Sequence, residues 1–156
     1  MRHIRLPAPI LRAASPVVQL WWKIRKPETF GVKVLLRHPD GERFLVVRHS
    51  YADTKRWGLP GGGYKPTQET SREAAARELT EELGIQLPPE AFTMFDTLRN
   101  TLEAKRDTLT ILGATVVNER VRLSPELAEA RWIHQVLELG DVPISRWLLA
   151  ALSRDS

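Results

Sequence analysis

Apolar runs alternate along the chain with polar, glycine- and proline-rich breaks, and their spacing predicts the elements. Residues 31–37, GVKVLLR, and 43–49, RFLVVRH, read as strands joined by the turn His38-Pro39-Asp40-Gly41, together a hairpin. The loop Trp57-Gly58-Leu59-Pro60-Gly61-Gly62-Gly63 follows. A helix is predicted from Thr70 to Leu83, because Thr70 with Glu73 three residues on forms a capping box and Gly84 is a natural stop. Pro88-Pro89 marks a loop. Residues 92–98 and 108–117 alternate as strands do, most clearly in LTILGATVV, and 130–133 suggest a short strand. Residues 144–153, ISRWLLAALS, predict a C-terminal amphipathic helix, and 16–24 a shorter one with Pro16 in its first turn. The adjacent Trp21 and Trp22 cannot face one core together, so one of them covers a sheet face or a partner subunit, which leaves a homodimer open. Strands on both sides of a central helix imply an α/β (α+β) fold, a mixed sheet with helices on its faces.

Composition narrows this picture to one domain. The chain has 156 residues, 42% of them hydrophobic and 27% charged, an ordinary globular mix. It contains no cysteine, which excludes a disulfide framework, cysteine zinc sites and thiol nucleophiles and fits a reducing cytosol. No apolar run approaches the roughly 18 residues of a membrane span. The expected location is therefore cytoplasmic.

Charge divides the chain in two. Residues 1–26 hold Arg2, Arg5, Arg12, Lys23, Arg25 and Lys26 and no acid. Removing those six from the 23 Lys+Arg leaves 17 against 19 Asp+Glu, a net −2 for residues 27–156. Residues 1–27 read as a basic extension and 28–156 as the domain. With an acidic remainder and no nucleic-acid module, a specific nucleic-acid partner is not expected.

The densest chemistry lies between Arg77 and Glu82, R-E-L-T-E-E. At about 100° per residue, with Glu78 at zero, Glu82 falls near 40° and Glu81 near 300°, so three carboxylates share an arc of about 100°. Like charges at this spacing destabilise a helix, and anions near its C-terminal end oppose its dipole. A hard divalent cation resolves the conflict, because it takes oxygen ligands from carboxylates, water and phosphate. The preceding glycines let backbone carbonyls and N–H groups approach the same ligand.

The segment Gly63 to Ile85 resembles the Nudix hydrolase signature G-x5-E-x7-R-E-U-x-E-E-x-G-U, where U is aliphatic. Gly63, Glu69, Arg77, Glu78, Leu79, Glu81, Glu82, Gly84 and Ile85 fill every specified position. The resemblance implies a Nudix-like α/β/α sandwich with a catalytic loop–helix–loop, and a hydrolase acting on acid anhydrides of phosphorus. It implies that Glu78, Glu81 and Glu82 ligate Mg²⁺, with Mn²⁺ as a substitute, joined by loop backbone at Gly62 and Gly63, most often the Gly62 carbonyl. Arg77 would orient the glutamates, and Glu69 would brace the loop or reach a metal through water. Many relatives carry an acid shortly after the first glycine and another glycine near Glu69; here Lys65, Thr67 and Gln68 stand there, which bears on loop shape and substrate contacts.

The implied substrate is a nucleoside diphosphate joined to another moiety, in the nucleotide-sugar, ADP-ribose or (d)NTP class. The resemblance leaves the base as a box glutamate or one on a distant loop; outside the box Glu103, Asp107, Glu126 and Glu129 are candidates, and Glu126 to Trp132 resembles the stretch E-x-x-E-A-x-W of many relatives. Trp57 either stacks on a base or anchors the end of a strand. Arg48, Lys55, Arg56, Lys105 and Arg106 are candidates for phosphate contact, and Glu126 for substrate contact. The competing reading is a noncatalytic nucleotide-binding module on the same fold, which would be expected to lose box acids.

Overall fold

The computed structural model describes residues 28–51, 55–100 and 106–156. The basic segment with its expected helix at 16–24, and the candidates Glu103 and Lys105, lie outside the described residues. Strands β1 (Glu28–Arg37) and β2 (Phe44–His49) are followed by short β3 (Trp57–Gly58) and β4 (Gly63–Tyr64). Helix α1 (Ser71–Leu83) precedes β5 (Thr93–Asn100), β6 (Arg106–Thr115) and β7 (Leu127–Ile133), and α2 (Arg146–Arg154) closes the chain.

The expected hairpin forms, but its strands pair only beside the turn, at Arg37↔Phe44, where His38 N–H also donates to Arg43 O at 2.8 Å. Beyond that point they part. Along its whole length β1 runs parallel to β6, from Glu28↔Arg106 to Arg37↔Thr115, while β2 pairs antiparallel with β7 and β3. The other edge of β1 is taken by the glycine loop. Val34 N–H donates to Pro60 O at 3.0 Å and Val32 N–H to Gly62 O at 2.9 Å, and β4 continues with Phe30↔Tyr64 and Gly31↔Gly63. The outcome is a mixed sheet with seven strands among the described residues, with β5 antiparallel to β6 at one side.

The near-continuous apolar character of β1 follows from this placement, since a central strand is covered on both faces. Val32, Val34 and Leu36 pack with Leu45, Val47, Leu112 and the α1 residues Ala75, Leu79 and Leu83. Leu35 joins Phe44, Val46, Ile111, Trp57 and the α2 residues Leu148 and Ala151 on the opposite face. The α/β/α arrangement expected from the sequence is the one observed.

The predicted ends of α1 are the observed ones. Glu73 N–H donates to Thr70 Oγ1 at 3.2 Å and Thr70 N–H to Glu73 Oε2 at 2.7 Å, the reciprocal capping box. Gly84 adopts the left-handed conformation at φ 65°, so its N–H and that of Ile85 close on the carbonyls of Thr80 and Leu79. Pro88-Pro89 opens a short 3-10 turn before β5. No helix among the described residues is long and apolar enough to cross a membrane.

Candidate active site

The site is assembled where the glycine loop, threaded against β1, meets the inner edge of α1. Gly61, at φ 144°, takes a conformation that side chains avoid, and its N–H donates to Glu82 Oε2 at 3.0 Å. Gly62 lies against Glu78, and a Cβ added there would stand 2.6 Å from the carboxylate carbon. Two glycines thus press loop backbone onto two carboxylates, which a bulkier loop would push away.

The acidic arc divides once the helix is packed. Glu78 and Glu82 are 8% and 2% exposed, on the same face as Leu79 and Leu83, whereas the Glu81 side chain is 57% exposed. Burial disfavours the charged form of a carboxyl group. Desolvation raises the pKa of Glu78 against the opposing pull of Arg77. Desolvation likewise raises that of Glu82, to about 7, opposed by the Gly61 N–H and by Lys33 and reinforced by Glu78 and Glu126.

Arg77 gathers the rest of the box. Its guanidinium donates to both oxygens of Glu69, most closely at 2.7 Å, to Glu78 Oε1 at 2.9 Å, to Glu81 Oε2 at 3.3 Å and to Gly63 O at 3.1 Å. One planar, permanently charged group therefore fixes the loop, its flanking acid and two helix acids together. Its own pKa is driven up, chiefly by the Glu69 hydrogen bonds.

A second loop closes on the same place. Ser124 N–H donates to Glu82 O at 2.9 Å and Arg122 N–H to Leu83 O at 2.8 Å, so residues 122–126 are tied to the end of α1. That brings Glu126 within electrostatic reach of Glu78 and Glu82. Two other base candidates are occupied elsewhere: Glu129 pairs with Arg48 at 3.2 Å and Arg131 at 3.0 Å, and Asp107 accepts a hydrogen bond from Thr29. Arg48 is thus engaged with Glu129. Trp57 is only 4% exposed, buried with Leu148 and Ala151 and with Arg131 over its ring, so the anchor role fits and a free face for a base does not.

Lys33 was not singled out in the sequence. Its signal was a lone cation inside the apolar run GVKVLLR. Its ammonium reaches Leu59 O at 3.4 Å, and burial lowers its pKa while Glu82 and Glu78 act to raise it. Residues His49 and Tyr51, on the strand and turn facing the 124–127 loop, were also not recognised.

The donor set suits a hard divalent cation: the carboxylates of Glu78, Glu82 and Glu81, and the second lone pair of Gly62 O, whose first accepts Val32 N–H. Two of the acids are desolvated, which favours a compensating cation beside them. Among the described residues no three acidic or imidazole groups already converge as a ligand cluster. The carboxylate oxygens are held instead by Arg77 and the Gly61 N–H, contacts that cation binding would share or replace. A broad hollow of about 610 Å³ is bordered by Arg77, Glu81 and Leu87, and neither buried glutamate lines it.

The NUDIX domain profile matches residues 27–148, and the chain belongs to the NUDIX family. The RNA pyrophosphohydrolase of Caulobacter vibrioides (strain NA1000 / CB15N) is 42% identical over 55 residues, which are 35% of this chain and 31% of that relative's length. The crystal structure of the MutT protein from Methanosarcina mazei Go1 shares 30% identity at a TM-score of 0.65, covering 83% of this chain and 94% of that one. The NUDIX domain of Shewanella oneidensis NrtR, solved as a complex with ADP ribose, shares the fold at a TM-score of 0.67 and 18% identity, with 97% of each chain covered.

Proposed function

We propose that this protein is a metal-dependent pyrophosphohydrolase that cleaves the diphosphate linkage of a nucleoside diphosphate joined to another moiety. The observation that carries the reading is the pair of buried carboxylates, Glu78 and Glu82, held against loop backbone at Gly61 and Gly62. Burying two acids beside each other is costly for a fold unless a positive partner shares the site. The relatives agree in kind, since one is named for pyrophosphate hydrolysis on RNA and another holds ADP ribose.

Glu78, Glu82 and Glu81, with Gly62 O, would hold Mg²⁺ or Mn²⁺. The bound cation would neutralise charge on the phosphate oxygens and make a water more acidic. The chain's own residues do the rest. Arg77 keeps Glu78 and Glu81 aimed and ties the helix to the loop through Glu69 and Gly63 O. Lys33 offers a second positive charge beside Glu82. Glu126, on the loop tied to the end of α1, would take the proton of the attacking water on its side-chain oxygen, while the leaving phosphate departs in line.

The test is a screen of ADP-ribose, nucleotide sugars, dinucleoside polyphosphates, (d)NTPs and 5′-triphosphorylated RNA with Mg²⁺ or Mn²⁺, with the products identified. Hydrolysis at a diphosphate bond that Glu82→Gln abolishes is the expected result. Tight nucleotide binding without turnover would identify the noncatalytic module instead. Calorimetry showing no Mg²⁺ or Mn²⁺ uptake with nucleotide present would overturn the metal assignment.

A further inference from the structure

One aromatic side chain stands in the open beside the acids, and nothing in the box accounts for it. Tyr51 is 72% exposed at the turn that follows β2. Exposed tyrosines are common, but several contacts fix the place of this one. The ladder between β2 and β7 shifts register between Arg48 and His49, so that Arg48 faces Glu129 and His49 faces Leu127. Such a bulge re-aims the side chains that follow it and is frequent next to active sites. Just beyond, Ser50 N–H donates to Glu126 O at 2.8 Å and Ser50 Oγ to Pro125 O at 2.7 Å. The same loop is bonded through Ser124 to the Glu82 carbonyl. Tyr51 therefore sits one residue from a bond to Glu126, at a turn tied to the loop that meets the end of α1, within electrostatic range of Glu82, Glu126 and Glu78.

His49 props the ring from behind. The two ring centroids are 5.1 Å apart at an interplanar angle of 33°. Both imidazole nitrogens are shielded from solvent and have no hydrogen-bond partner among the described residues. A buried polar group left unpaired costs stability, and an apolar residue would serve a merely structural contact better. Tyr51 is largely exposed, and its ring lies against an imidazole held by the sheet. That is a preorganised flat surface at the rim of a phosphate-processing site. Aromatic faces of this kind stack on nucleobases whatever their sequence.

We propose that Tyr51, supported by His49, is the residue that stacks on the nucleobase of the substrate while the diphosphate lies at the acids. This rests on the proposed function and adds to it the requirement for a base. Tyr51 would set affinity for the nucleoside part and leave the bond-breaking step to the box.

The test compares ADP-ribose with 5-phosphoribosyl diphosphate, which carries a diphosphate and no base, in the full-length protein with Mg²⁺. Tyr51→Ala is expected to raise the KM for ADP-ribose about tenfold, as loss of one stacking contact should. The kcat should change by less than about twofold, and Tyr51→Phe should restore the KM, since the ring and not the hydroxyl acts. The KM for the base-free substrate should stay within about twofold in Tyr51→Ala. Equal KM increases for both substrates would overturn the assignment, as would an unchanged KM for ADP-ribose. Binding of ADP-ribose, read by calorimetry, separates this claim from the catalytic one. Binding without turnover that weakens about tenfold in Tyr51→Ala keeps the stacking role even if hydrolysis fails. A wild-type protein that binds no ADP-ribose overturns the stacking role even if it hydrolyses another diphosphate.

Discussion

Helix α2 closes its face of the sheet with Leu148 and Ala151, both fully buried, and ends on Arg154, whose guanidinium pairs with Asp96 at 3.1 Å. Helix α1 closes the other face with leucines and alanines too, but sets Glu78 and Glu82 among them and has no basic residue in its last turn. The first follows the rules of stability: apolar side inward, hydroxyl cap at Ser145, cation at the C-terminal end. The second breaks them at two buried positions. Both helices pack on β1 and β6, from opposite faces, so the exception does not come from those strands. A protein of this size can carry such a local penalty because the opposite layer is built without one.

The sharpest way to break this comparison is Glu82→Gln. We expect kcat to fall by roughly a thousandfold, since a charged group at the reacting phosphates is lost. The metal-free protein should at the same time become more stable at pH 8, by about 1–2 kcal/mol, because a buried carboxylate held near pKa 7 is replaced by a neutral amide. Denaturant unfolding and steady-state kinetics on one preparation check both. A metal-free variant less stable than the wild type at pH 8 would refute the idea that α1 gives up stability for function.

Leu148→Ala is the converse experiment. It should cost about 2–5 kcal/mol through the cavity it opens, yet leave kcat of the folded fraction near the wild-type value. Arg77→Lys should act between the two. A lysine cannot span Glu69, Glu78, Glu81 and Gly63 O at once, so we expect about a tenfold to hundredfold loss in kcat/KM, with far-UV circular dichroism unchanged.

The smallest expected effect is in the pH dependence of metal-free stability, and the two ionisable groups act in opposite senses. Glu82 has a folded pKa of about 7 against 4.5, so its contribution is complete below pH 4.5 and lost as the pH rises through 7. His49, with a folded pKa of about 4 against 6.5 owing to burial and then to Lys33, contributes fully above pH 6.5 and loses that contribution as the pH falls through 4. Thermal melts from pH 4 to 8 should show the alkaline decline in the wild type and its absence in Glu82→Gln. Mg²⁺ should raise the melting temperature most at the alkaline end, where the carboxylate is free to bind it.

Much of this architecture was legible in the chain. Thr70, Glu73 and Gly84 encode the ends of α1 locally, because capping is a matter of residues three or four apart. The strand segments and the C-terminal helix were readable from periodicity, and the box residues from their spacing. The partners of β1 were not. The hairpin turn joins it to β2, but its lasting neighbours are β6 and the glycine loop, tens of residues away, and no local pattern names them. The acid arc was read as one surface, and packing divided it into two buried glutamates and one exposed. Glu126 was one of several candidate bases, and only the Ser124–Glu82 bond brings its loop to the end of α1, while the burial of Trp57 could not be read from its place in the chain.

The sequence by itself determined the helix that carries the acids, the glycines that let backbone come close to them, and the family they belong to, because each depends on contacts a few residues apart. The tertiary structure decided which acids are dehydrated, which loops meet them, and that Lys33, His49 and Tyr51 belong to the same neighbourhood. Dehydration and long-range pairing are properties of the packed sheet, set by chain segments that come together only when it closes.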